Sequence, residues 1–288
     1  MSAIKLENIR YAYGKKTPYE ICALNDVSLE IEKNCITGII GHTGSGKSTL
    51  IQMFNGLIKP DSGKVFVDGE DIWEKPKEIG KIRYKVGMVM QYPEYQLFAE
   101  TVSEDIAYGP TNMGLDKDEI EHRVRQSAGF CGLSEEILSK SPFDLSGGQK
   151  RRVALAGVMA MDPEILVLDE PAAGLDPRGR REILGGIKRY AEKGGKSIII
   201  VSHSMEDMAV YCDKLAVMSH GKLIMHGTCS EVFSQRDMLI EAGLDVPEIS
   251  NIIYALREKG IDLPSDIYTV DGAVDAIEKY VRGRKNGI

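Results

Sequence analysis

Gly41-His42-Thr43-Gly44-Ser45-Gly46-Lys47-Ser48-Thr49 fits the spacing Gly-x-x-x-x-Gly-Lys-Ser, which suits a loop that wraps phosphates. Glycines 41, 44 and 46 let the backbone turn several N–H groups onto phosphate oxygens. Lys47 would reach the β- and γ-phosphates of a nucleoside triphosphate, and the Ser48 hydroxyl would ligate Mg²⁺. A second set of reactive groups is the pair Asp169-Glu170, which ends the apolar run Ile165–Leu168. Adjacent residues on a strand leave from opposite sides of the pleat. Asp169 can therefore hold Mg²⁺ through water while Glu170 faces an attacking water as general base. An isolated Asp-Glu after a strand would read as a turn or helix cap; beside a phosphate loop the catalytic reading is preferred.

These groups need elements to aim them. Ile36–Ile40 is a short apolar run ahead of the loop, consistent with a buried strand. Gly46–Leu57 behind it reads as a helix with apolar Leu50, Met53, Phe54 and Leu57, and its N-terminus adds positive potential under the phosphates. Further buried strands are expected at 86–90, 165–169, 197–202 and 214–218. Ligands gather at the carboxyl ends of strands in open α/β sheets, where all of these candidate groups lie. Residues 92 to about 158 read as mostly helical. The order predicts an α/β phosphate-loop core with a mostly parallel sheet and an inserted helical subdomain. After Gly227 the composition changes. Ile249, Ile252, Ile253 and Leu256 share one helical face, and so do Ala273, Val274, Ile277 and Tyr280. Such short helices need a partner surface, from their own chain or another. The expected division is 1–230 and a small helical C-terminal domain, 231–288.

Leu145-Ser146-Gly147-Gly148-Gln149 opens another helix with small residues, leaving its N–H groups open to a phosphate. This string is the signature of the ATP-binding cassette family, and the chain resembles that family from about residue 3 to residue 230. The resemblance implies an ATPase whose signature caps ATP on a partner chain. It also implies roles for Gln91, sensing Mg²⁺ and water, for His203, contacting the γ-phosphate and water, and for Asp176 in Ala173-Gly174-Leu175-Asp176, orienting the partner's water. Tyr13 would stack on adenine; a cross-strand core aromatic is the rival reading. The basic triplet Lys150-Arg151-Arg152 reads best as a solvated helix face.

The chain has 288 residues and a net charge of −7, which gives no general basic field for an anionic duplex, so no nucleic-acid partner is expected. Its five cysteines are scattered without a Cys-x-x-Cys, as in a reduced compartment. No signal peptide is expected, and no apolar run nears the roughly 18 residues of a membrane span.

Gln91-Tyr92-Pro93-Glu94-Tyr95-Gln96-Leu97-Phe98 and Asp105–Pro110 resemble the ATPases of energy-coupling factor (cobalt-type) transporters, as does 245–277, which is similar to that family's C-terminal dimerisation domain. Gly41-His42-Thr43 and Leu50–Leu57 resemble the second of its two ATPase subunits. The resemblance implies ATP and Mg²⁺ as cofactors. Its implied partners are a related ATPase subunit in a heterodimer, a transmembrane coupling subunit and a membrane subunit that captures a vitamin or Ni²⁺/Co²⁺. The place is the cytoplasmic face of the cell membrane. Tyr95, Leu97 and Phe98 would receive the coupling subunit, or else form an ordinary helix start. Rival readings are a cassette ATPase acting on DNA or ribosomes and a non-hydrolysing regulatory cassette; intact Glu170 and His203 disfavour the latter.

Overall fold

The computed structural model describes residues 2–285. The chain runs β1 (Ser2–Tyr13), β2 (Ile21–Glu32), β3 (Ile36–Ile40), α1 (Lys47–Phe54), β4 (Ser62–Val67), β5 (Glu70–Asp71), α2 (Ile79–Lys85) and β6 (Val86–Val89). Helices α3 (Val102–Asn112), α4 (Lys117–Phe130), α5 (Glu135–Leu138) and α6 (Gly147–Ala160) follow. Then come β7 (Ile165–Asp169), α7 (Pro177–Gly194), β8 (Ser197–Val201), α8 (Met205–Tyr211), β9 (Lys214–Ser219) and β10 (Lys222–Thr228). The described chain ends on α9 (Cys229–Phe233), α10 (Arg236–Glu241), α11 (Glu248–Glu258) and α12 (Val270–Lys285).

The strands make a six-stranded sheet, β10-β9-β3-β8-β7-β6, and a four-stranded sheet, β2-β1-β4-β5. The larger one is parallel from β9 through β6, with β10 antiparallel at its edge. The smaller one is wholly antiparallel, a layer the sequence pattern had not separated. Every residue of β3, β7 and β8 is buried, which explains why these segments are apolar on both faces.

Strand alternation divides the interior. Leu166, Leu168, Ile198, Ile200, Leu215 and Val217 face one core, shared with α3, α4, α6 and α7. Val167, Ile199, Val201, Ala216 and Met218 face the other, shared with α1 and the antiparallel sheet. The six-stranded sheet is thus held between a helical layer and a second sheet, and its strand ends are fixed from both sides.

Helix α3 begins with a capping box in which Glu104 N donates to Thr101 Oγ1 at 3.2 Å and Thr101 N to Glu104 Oε2 at 3.0 Å. Its buried Asp105 accepts from Phe98 N at 3.3 Å and Ala99 N at 3.0 Å, tying down the stretch before it. Pro93–Gln96 is a single 3₁₀ turn followed by extended Leu97, which does not match the alternative reading of this stretch as an ordinary helix start.

The C-terminal helices bury Ile253, Leu263 and Ala273 together, with Ile249, Leu256, Ala276 and Tyr280 packed around them. Leu239 and Val246 belong to the main core, and the Tyr268 ring lies 5.6 Å from Phe233. Ile252, Val274 and Ile277, on the faces expected to pack on this chain's own core or on another chain, are exposed. Internal packing takes only part of each apolar stripe because the two helices cross over one small cluster. No helix among the described residues is long and apolar enough to cross a membrane.

Within the helical layer, α7 and the end of α4 approach closely. A Cβ placed on Gly186 of α7 would lie 2.1 Å from the Phe130 carbonyl oxygen at the end of α4. Gly186→Ala is expected to lower unfolding stability by about 1–3 kcal/mol in denaturant melts, because two backbones must separate.

Candidate functional site

The phosphate loop leaves the buried end of β3 and enters α1 at Gly46, whose φ is 101°. An added Cβ there would sit 2.5 Å from the Ala23 carbonyl oxygen, so glycine is required on both counts. The loop is also pinned from β9–β10, with Gly221 N donating to Ser45 O at 3.0 Å. Lys47 is buried and its Nζ donates to Gly41 O at 2.6 Å and His42 O at 3.0 Å. Burial holds its pKa below the ordinary value, against the pull of Glu170 and Asp169. The lysine thus carries a poorly compensated charge inside the loop, available to phosphate oxygens.

Ser48 Oγ donates to Asp169 Oδ2 at 3.3 Å, which joins α1 to the end of β7. Burial raises the Asp169 pKa, opposed by Ser48 and Lys47. Glu170 follows with φ 52°, an uncommon backbone state for a non-glycine residue, and its N–H donates to Val201 O at 2.9 Å. Burial, then repulsion from Asp169, lifts the Glu170 pKa to about 7. Oε1 is buried without a hydrogen-bond partner among the described residues. His203 Nε2 approaches it to 3.4 Å without completing a hydrogen bond. Burial and then Lys47 hold the His203 pKa down, so this contact joins a neutral imidazole to a carboxyl.

The structure therefore brings together Lys47, Ser48, Asp169, Glu170 and His203. Ser45 Oγ is a further buried oxygen without a hydrogen-bond partner among the described residues. Gln91 sits two residues beyond β6, the strand beside β7; it is exposed and bonds to none of the described residues. Tyr13 is half-exposed, with its hydroxyl 3.1 Å from Thr49 Oγ1 and its ring 4.9 Å from Tyr11. His42 lies 4.7 Å from His220, ring to ring, its Nε2 accepting from His220 N at 3.4 Å. Thr43 and Gly44 are exposed at the loop tip.

One hydroxyl and one carboxylate suit a hard cation that completes its shell with phosphate oxygens and water, as Mg²⁺ does. Among the described residues no group of three or more His, Cys, Asp and Glu could hold a metal by itself.

The Leu145–Gln149 string lies elsewhere on the chain. Leu145 is buried in the main core, whereas Ser146 and Gly147 are exposed. Ser146 caps α6, accepting from Gln149 N at 3.4 Å while Gln149 Oε1 accepts from Ser146 N at 3.0 Å. The N–H groups of Gly147 and Gly148 have no intrahelical acceptor. A Cβ on Gly147 would meet nothing within 4 Å. Among the described residues no hydrogen bond or ion pair joins 41–49 to 145–149. Asp176 caps α7, its Oδ1 accepting from Gly179 N at 2.6 Å.

The basic triplet does not form a solvated face. Arg151 is 6% exposed and forks onto Glu94, Nε to Oε2 at 3.1 Å and Nη2 to Oε1 at 3.0 Å. Arg152 Nη2 donates to Glu182 Oε2 at 2.7 Å. The sequence reading missed these pairs because their members lie 57 and 30 residues apart, beyond any local periodicity.

The model of the ABC transporter family matches residues 24–173. A second model, an AAA domain described as a putative AbiEii toxin, matches 140–208. The energy-coupling factor transporter ATP-binding protein EcfA2 of Caldanaerobacter subterraneus is 50% identical over 98% of this chain and 99% of its own. The protein of the same name from Clostridioides difficile is 51% identical over 98% and 99%. The chain belongs to the ABC transporter ATPases, among those of energy-coupling factor transporters. Its fold agrees. Clostridium perfringens CbiO1, part of the ABC transporter complex CbiONQ, superposes with a TM-score of 0.75 at 38% identity, covering 88% of this chain and 99% of that one. A dimeric post-hydrolysis structure of the cassette MJ0796 with ADP and Pi gives 0.71 at 28% identity, covering 78% and 98%. As an ABC ATPase the chain binds and hydrolyses ATP.

The raised Glu170 pKa has a stability consequence. Below its ordinary value of 4.5 the carboxyl is protonated in both folded and unfolded chains. As pH rises from there through about 7, the unfolded chain gives up its proton first, and the folded state loses stability. Glu170→Gln should therefore melt higher than the parent above neutral pH, in protein free of metal and nucleotide, with the gain shrinking toward zero as pH falls to the acid limb. A gain independent of pH would contradict this burial effect.

Proposed function

We propose that this chain is the second ATPase subunit of an energy-coupling factor importer, paired with a related ATPase in a heterodimer. Residues 1–230 form the cassette and 231–288 a dimerisation domain, a reading supported by the apolar side chains Ile252, Val274 and Ile277 left uncovered on α11 and α12. The observation that carries the proposal is the separation of two phosphate-facing surfaces. One is complete around Lys47. The other, at Ser146–Gly148, opens outward and, among the described residues, has no bond to the first. A triphosphate held by the loop of one chain is then closed over by the signature of its neighbour.

Within each site the chain's residues divide the work. Loop N–H groups from Gly41 to Thr49 and the Lys47 ammonium hold the β- and γ-phosphates. Ser48, Gln91 and Asp169 would hold Mg²⁺, partly through water, and the ion would neutralise phosphate charge when bound. Glu170, with its pKa about 7, can accept the proton of the attacking water near neutral pH. His203, neutral beside it, orients that water and the γ-phosphate. Tyr13 stacks on adenine, and Asp176 lies along the seam between the two chains.

The exposed rings of Tyr92, Tyr95, Phe98 and Tyr108 form the surface for a transmembrane coupling subunit. Leu97 turns inward against the main core and is not part of it. A further membrane subunit would capture the solute, a vitamin or transition-metal ion. The assembly would place this chain on the cytoplasmic face of the cell membrane.

Purifying the chain under native conditions with ATP should bring down membrane subunits; ribosomes or DNA in their place would contradict the proposal. In the reconstituted assembly, Glu170→Gln should keep ATP binding, lower turnover at its own site by about 100-fold or more, and stop solute uptake. Uptake at the parental rate would remove Glu170 from its role.

A further inference from the structure

Arg151 is a buried charge that the mechanism above does not use. It lies one helical turn beyond Gly147 and Gly148, on the first turns of α6. Its guanidinium makes three kinds of contact. Two N–H groups fork onto Glu94, in the turn after Gln91. Nη1 donates to the carbonyl of Ala173, between Glu170 and Asp176. The face lies 5.9 Å from the Tyr92 ring. Tyr92 itself has φ 57°, which fixes the direction in which the chain leaves β6. Side-chain exposure is 7% for Arg151 and 16% for Glu94, so this bidentate pair is largely shielded from solvent. A planar fork satisfied at both ends resists displacement, and neither partner can leave without stranding a buried charge.

We propose that Arg151, held by Glu94, is a positioning residue. It carries movement of the exposed aromatic surface around Tyr92 and Tyr95 to the signature turn at Ser146–Gly148 and to the loop after Glu170. Docking on that surface then sets how well this chain closes over the nucleotide of its partner. All three segments meet this guanidinium, although Glu94 and Arg151 are 57 residues apart and Arg151 and Ala173 are 22 apart. This inference rests on the reading that the signature serves the neighbouring site.

The test uses the complete assembly with its membrane subunits and with Lys47→Ala in this chain, so that remaining hydrolysis comes from the partner's site. Three variants are compared in that background: Arg151→Lys, the double variant Glu94→Leu with Arg151→Met, and Ser146→Arg. The double variant removes both charges together and should keep the melting temperature within a few degrees, since well-packed apolar replacements of buried pairs are tolerated. The proposal expects kcat at the partner's site to fall by about tenfold in the double variant, with KM for ATP unchanged. Arg151→Lys keeps the charge but cannot reach Glu94 and Ala173 together, and it too should lose kcat with the fold intact. A double variant at parental kcat, with Ser146→Arg inactive, would overturn the positioning role and leave the trans reading standing. Ser146→Arg at parental kcat would overturn the trans reading itself.

Discussion

Two acids leave the end of one buried strand on consecutive residues, and a buried lysine is the nearby cation that offsets them. That arrangement is electrostatically unfinished. Asp169 and Glu170 are both pushed toward protonation, and Lys47 is pushed toward losing its charge. Each shift has burial as its first cause, and each would relax if phosphate and a divalent cation were added. The remainder of the fold maintains this condition. The left-handed turn at Glu170, the hydrogen bond to Val201 and the packed strands on either side fix the backbone from which the two carboxylates leave.

The layers explain why so few residues can manage it. Parallel strands β3, β7 and β8 end on the same edge of the sheet, and each end supplies one part: the loop with Lys47, the acid pair, and His203. Both faces of the sheet are packed, so these ends cannot shift singly. The signature helix belongs to the other layer, tied to β6 and β7 through Arg151. The chain therefore presents a rigid half built around Lys47 and a second half, at the signature, that faces outward.

Much of this was legible in the sequence, for identifiable reasons. The loop, the acid pair and the strands before them follow short-range rules of spacing and hydrophobic run length, and β3 and β7 fall where those rules put them. The boundaries of α1 and β8 shrink by a few residues at most, as fraying ends do. The antiparallel sheet was not separated because β1 and β4 pair across nearly the whole loop segment. Arg151 was misread for a related reason: a basic triplet on a helix looks solvated until a distant acid is folded onto it. Three of the eight residues on the C-terminal apolar stripes face outward, and periodicity could not have told which three. Gln91 lies two residues past β6, the strand beside β7, and bonds to none of the described residues.

The central claim is that one ATP needs two chains. Specific ATPase activity per chain, followed from micromolar concentration down through dissociation of the cassette pair, tests it most directly. The account predicts that activity falls toward zero as the chains separate and returns on reassembly. Activity per chain that stays constant into the fully monomeric range would contradict it.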